Sequence, residues 1–193
     1  MAAIGCRYPV FAVISSHTSG SAISYSTGEV LCHAIAANIT YNRRDNALYG
    51  DDIKVETDKG LTDYTIAFEG DRLPNAKRAK LLGETAVTQT TTVTHYAVKD
   101  NTPPGVGFGY IKVVQEDNVV KYEAYWFHKV EFTLDNENAS TKAEQISFGT
   151  YPITGHGLGV VLDSSGDVQF FDHMNFGTEA AAKTWLNGRA GIT

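Results

Sequence analysis

The strongest constraint in this chain is a side-chain period of two. Tyr64, Ile66 and Phe68 alternate with Thr65, Ala67 and Glu69. Successive side chains of an extended strand point to opposite faces, so this run has one face to bury and one to wet. The period recurs along the sequence. Over residues 29–42 it sets Leu31, His33, Ile35, Ala37, Ile39 and Tyr41 on one face. The other face carries Val30, Cys32, Ala34, Ala36, Asn38, Thr40 and Asn42, and becomes small and polar toward its end. Residues 8–14 are β-branched and aromatic, and Ile53 and Val55 alternate with Lys54 and Glu56. Residues 106–115 and 119–125 flank Glu116-Asp117-Asn118, the pattern of a β-hairpin. The second of these strands runs on through Trp126, Phe127, Val130, Phe132 and Leu134. Its alternate face is His128 or Lys129, then Glu131 and Thr133. Residues 145–151, 158–162 and 168–171 read as further strands, and 89–94 as a strand or a surface loop.

Helical spacing is confined to two short segments. Over 75–83 Ala76, Ala79, Leu81 and Leu82 are apolar, and Gly83 is placed to stop the helix. Over 178–190 Thr178 is placed to cap the helix, Glu179 suits its first turn, and Gly191 follows it. Ala182, Trp185, Leu186 and Ala190 make its buried stripe. The expectation is a mainly β fold, an antiparallel β-sandwich or barrel with two short helices, in one domain spanning 1–193. Residues 1–20 form an N-terminal strand or arm. Residues 43–50 break the alternation, so 43–59 reads as a long extended acidic loop between strands.

The net charge is −6. Between Asp45 and Asp71 eight acids face only Lys54 and Lys59, an excess equal to the whole net charge. A mild acidic balance argues against tight nucleic-acid binding, which needs clustered Lys and Arg to replace phosphate counterions. No run of apolar residues approaches membrane-spanning length, and no signal peptide is expected. Cys6 and Cys32 lack metal-ligand spacing and read as small buried thiols.

Chemistry is sparse. The runs Gly105-Val106-Gly107-Phe108-Gly109 and Gly155-His156-Gly157-Leu158-Gly159 lack the context of a dinucleotide or phosphate loop, and read as glycines for bulges or close packing. The six histidines show no zinc spacing. Asp172-His173 lacks a nucleophile motif beside it. Asp51 and Asp52, if extended, point to opposite faces, which is poor geometry for acid–base work.

Several segments resemble the major tail tube proteins of bacteriophages with long non-contractile tails. They are Ile4-Gly5-Cys6-Arg7-Tyr8-Pro9-Val10, Asp45-Asn46-Ala47-Leu48-Tyr49-Gly50-Asp51-Asp52, and Val106-Gly107-Phe108-Gly109-Tyr110. Further along come Tyr122-x-Ala124-x-Trp126 with Lys129-Val130, then Thr141-Lys142-x-Glu144-x-Ile146-x-Phe148, and the terminal helix. The segments keep the order found in that family. The resemblance implies a β-sandwich that assembles into six-fold rings, stacked into a hollow tube through which genomic DNA passes. It implies no catalytic residue and no cofactor. The implied partners are the chain itself and the tape measure, distal tail and terminator proteins, with DNA in transit, no membrane insertion, and a place in the virion tail after assembly in the host cytoplasm.

On that reading the channel is lined by Asn38, Thr40, Glu56, Thr65, Glu69, Glu131, Thr133, Gln145 and Ser147. Each sits between neighbours that must face a core. The loop carrying Arg43, Asp45, Asn46, Leu48, Tyr49, Asp51 and Asp52 contacts a neighbouring subunit. The rival expectations are another tail component, either a terminator or a contractile-tail tube, and, from a different class, a small-ligand-binding β-barrel.

Overall fold

The structure is a computed structural model that describes residues 2–89, 92–98, 101–135 and 150–193. Its strands are β1 (Ala2–Ser16), β2 (Ser24–Tyr25), β3 (Glu29–Val30), β4 (Ala34–Gly50), β5 (Ile53–Gly70), β6 (Thr85–Gln89), β7 (Thr92–Tyr96), β8 (Val106–Glu116), β9 (Val119–Leu134), β10 (Tyr151–Gly157), β11 (Val160–Val161), β12 (Val168–Gln169) and β13 (Phe171–Phe176). The helices are α1 (Asn75–Leu82) and α2 (Glu179–Ala190). The fold is mainly β, every described pairing is antiparallel, and the two helices are short, as the alternation and the two helical segments require.

The main sheet has nine strands, in the order β2-β1-β8-β9-β10-β5-β4, with β13 pairing β9 and β3 pairing β1. β3 pairs with β1 and leads at once toward β4, so the two ends of this path meet and β1 touches β4. The sheet curls around an aromatic core. Phe11, Tyr64, Phe68, Phe108, Phe127 and Phe132 fill it, and Leu81 and Leu82 of α1 join them. Ring pairs such as Phe108 with Phe132, 5.3 Å apart and steeply inclined, give edge contacts that add to simple area burial.

A second cluster lies on the outer face. Val10, Ala12, Ile111, Ala124 and Trp126 pack there against Ala182, Leu186 and Ala190 of α2. The helix ends as its sequence requires. The Thr178 hydroxyl accepts from the Ala181 N–H at 3.3 Å, and Gly191 takes the left-handed conformation. Gly107 and Gly157 serve close packing. A side chain at Gly107 would strike Trp126 and Tyr25, and one at Gly157 would strike the Tyr64 ring beside it in the ladder.

Two irregularities reset the alternation. Val106 pairs with Val130 but Phe108 with Phe127, so β9 carries an extra residue between them. Before this bulge Ala124, Trp126 and His128 share the outer face; after it Lys129, Glu131 and Thr133 do. Both open choices at 128–129 therefore occupy the outer side. In β4 a bulge lies between Ala34 and Ala36, which pair with Gly70 and Glu69. Strict alternation put Leu31, His33 and Ile35 on the face of Ala37 and Ile39. Instead Cys32 and Ala34 pack on the core with Ala37 and Ile39, while His33 and Ile35 are exposed.

The larger correction concerns residues 43–59. They are not a loop. β4 and β5 continue as a two-stranded hairpin, paired from Arg43 with Leu61 to Gly50 with Ile53. Its length is roughly 25 Å at the rise of an antiparallel strand. The pattern looked broken because both faces of a two-stranded ribbon are wet, so no apolar stripe is needed. Residues 89–94, read as a strand or loop, belong in their described part to the β6–β7 hairpin.

Candidate functional site

Antiparallel registry assembles most of the polar positions into one surface. Thr40 stands opposite Thr65, Thr65 opposite His156, and His156 opposite Glu131, a row across β4, β5, β10 and β9. The adjacent row is Asn38, Ala67, Thr154 and Thr133, and Ala36 with Glu69 and Pro152 begins a third. Side chains two apart on one strand share a face, so these rows are one wet sheet face. It is made of small and hydroxyl-bearing residues with Glu69 and Glu131 as its charges. Thr150 donates to Glu69, and Thr154 donates at 2.7 Å to Asp135. Among the described residues the base at its margin, Lys129, lies 3.6 Å from Glu131.

Asn38, Thr40, Thr65, Glu69, Glu131 and Thr133 are thus together. Glu56 is not among them. It lies on the hairpin opposite Leu48, nine residues beyond Thr65 and roughly 30 Å along the strand. Gln145 and Ser147 lie outside the described residues, as does the segment 141–148 of the resemblance. Sequence reasoning missed Thr154 and His156. They sat in and beside a glycine-rich run, yet alternate with the buried Ile153, Gly155 and Gly157, and that alternation was the available signal.

The hairpin is the second feature. β5 pairs with β10 only over residues 64–70, so beyond Tyr64 the ribbon has no further strand beside it among the described residues. Every described side chain over 40–49 and 51–59 is exposed. Leu48, Tyr49, Ile53 and Val55 are 62–68% exposed, four wet apolar residues on one hairpin. The segment is not acidic along its length. Arg44 pairs with Asp58 at 3.2 Å, and Lys59 with Asp45 at 3.6 Å. Asp51 and Asp52 form the tip, both at positive φ (48° and 61°), and neither has an ion pair among the described residues. They are turn residues, not an extended pair.

A cleft of about 500 Å3 opens at the other end of the curled sheet, floored by Cys6, Leu31, Cys32 and Ala34. The cysteines are half-buried and not enclosed in the core as expected. Burial, then mutual repulsion, pushes the Cys6 thiol up to about 12, and burial first pushes Cys32 up to about 11. Both stay protonated at neutral pH, which is the opposite of an activated nucleophile.

Asp172 does not orient His173. It lies 2.9 Å from Arg189 and 3.4 Å from the buried His128, while His173 stacks on Tyr125. Among the described residues no cluster of three or more His, Cys, Asp or Glu is placed to hold a metal ion, and no helix is long and apolar enough to cross a membrane.

The chain matches no protein-family model and no curated protein sequence.

Proposed function

We propose that this chain is a structural subunit that associates with copies of itself into rings and stacks them as the tail tube of a phage with a long non-contractile tail. The observation that carries the reading is the β4–β5 hairpin. A ribbon of eight or so paired residues, with Leu48, Tyr49, Ile53 and Val55 in water, is costly for a lone subunit. Among the described residues nothing buries its side chains, and its edges are open to a neighbour. Docking it on another copy removes the apolar surface and the open edge together.

The polar sheet face supports the same reading. Duplex DNA carries one charge per ~1.7 Å, and a basic wall would hold it at many points. A wall of threonines, small residues and carboxylates gives it no such hold. We propose that this face, with Asn38, Thr40, Thr65, Glu69, Glu131, Thr133, Thr154 and His156, lines the bore. The role is structural and not catalytic, in the virion tail, and the tape measure, distal tail and terminator proteins are the proposed further partners. A ligand-binding barrel is the weaker alternative, because the curled sheet is filled by aromatic rings where a ligand would need space.

Sedimentation of the purified chain over a wide concentration range tests this. Concentration-dependent large species are expected. A monomer at every concentration, with salt and nucleating tail components added, contradicts it.

A further inference from the structure

The cleft at the base of the sheet has an unusual lining. Arg7, Arg72, Lys77 and Lys183 surround it, with Glu179 as the carboxylate among them. Glu179 is shared between Arg7 at 2.9 Å and Lys183 at 2.7 Å. Lys77 donates to the carbonyls of Val30 and Leu31, which fixes its ammonium at the rim. Arg72 is exposed and has no ion pair among the described residues. In a chain of net charge −6 this is a concentrated positive site over an apolar floor.

The hairpin tip has the complementary chemistry. Asp51 and Asp52 stand at it with no ion pair among the described residues, flanked by the exposed apolar Tyr49 and Ile53. The tip cannot reach the cleft of its own chain. Ala34, which lines the cleft, begins β4, and Gly50 ends it sixteen residues on, roughly 50 Å away along a straight strand.

We infer that the cleft bounded by Arg7, Arg72, Lys77 and Lys183 receives the Asp51-Asp52 tip of a second copy. Carboxylates meet the exposed Arg72 guanidinium, which is close enough to Asp71 to feel its charge but makes no ion pair with it, and the rim ammonium groups, while Tyr49 or Ile53 covers the apolar floor. Tip and cleft are different surfaces at opposite ends of one molecule. Their contact is head-to-tail, and such contacts propagate into a stack or close into a ring. The inference rests on the self-assembly reading and adds where the hairpin docks and by which charges.

Charge reversal with rescue tests it. Variant one carries Asp51→Lys and Asp52→Lys; variant two carries Arg7→Glu and Arg72→Glu, both exposed positions. Each alone is expected to raise the concentration needed for assembly at least about ten-fold, and the two mixed are expected to recover assembly. Assembly unchanged in both variants, or lost in both and not recovered by mixing although each melts like the parent, overturns the inference and leaves self-assembly standing. A parent chain that never assembles removes the self-assembly reading instead. In that case a cyclised peptide of residues 45–58, followed by fluorescence anisotropy, decides the cleft separately. Binding to the parent and not to variant two supports the site. Equal binding to both, or displacement by millimolar inorganic phosphate as readily as by excess peptide, overturns it as a site for the tip. Milder Arg7→Gln and Arg72→Gln changes serve where the reversal disturbs folding.

Discussion

His156 stands directly opposite Glu131 in the β10–β9 ladder, and both side chains project from the wet side of the sheet. The partner of His156 on its other side is Thr65. The pairing fixes which residues share the proposed bore and which do not. Glu69 and Glu131 are half-exposed and open to solvent on the wet face, so replacing both by Lys is expected to move the melting temperature only modestly, by about 1 kcal/mol per charge. Assembled particles of the double variant are expected to retain duplex DNA in low salt and release it as salt rises. Retention equal to that of the parent at every salt concentration counts against this face as the DNA-facing wall.

Removing residues 47–57 and joining Asn46 to Asp58 through an Asn-Gly turn shortens the hairpin without touching the core. Ala47 and Thr57 are ladder partners, so the cut keeps the register. The subunit is expected to melt within about 2 °C of the parent, since surface changes away from packed features cost little. It is expected to remain monomeric in sedimentation. A large fall in melting temperature would place the hairpin in the folding core instead.

Gly157 tests the packing account. A methyl group there overlaps the Tyr64 ring, which is itself buried and packed on Phe127. Gly157→Ala is expected to cost about 1–3 kcal/mol, the range for overpacking a tight core. Calorimetry is expected to show a melting temperature lower by about 3–10 °C. An unchanged value means the ring has room to move.

His128 gives a pH signature. It is buried in β9, and burial holds its imidazole below the ordinary range, opposed by the charge of Asp172 and assisted by Arg189. The Tyr25 hydroxyl donates to its carbonyl, which ties the backbone, and its Nε2 faces Asp172 at 3.4 Å. With the folded value below the unfolded one of 6.5, the unfolded chain takes up the proton first. The contribution is complete above that value and is lost as pH falls from there through the folded value. Asp71 is held low first by its hydrogen bond from His33, and Glu179 first by that from Lys183, so their contributions fade only below their ordinary values of 3.8 and 4.5. Melting temperatures between pH 7 and 5 are expected to fall for the parent and to flatten in His128→Gln. Equal slopes would remove His128 as the cause.

The interior of the fold was readable wherever one strand face is dry. Tyr64, Ile66 and Phe68 are buried and Thr65, Ala67 and Glu69 turn outward, as their alternation requires. The failures sit where that rule has no purchase. The hairpin over 43–59 is wet on both sides, so nothing in its hydrophobic pattern distinguishes strand from loop. The bulges at Ala34–Ala36 and 128–129 each shift parity by one residue, and their cause is the pairing partner, a long-range fact. The wet face was half legible: parity selected Thr65 and Thr133, but only registry shows that they belong to adjacent rows, with His156 and Thr154 between the strands that carry them. The cleft was invisible, because Arg7, Arg72 and Lys183 are far apart in sequence.

Cryo-electron microscopy of the concentrated chain tests the central proposal most directly. The account predicts hollow rings or tubes, with the Thr65–His156–Glu131 row facing the bore and the β4–β5 hairpin lying on a neighbouring copy. Particles that stay monomeric at high concentration, or tubes that turn this row to their outer wall, would contradict it.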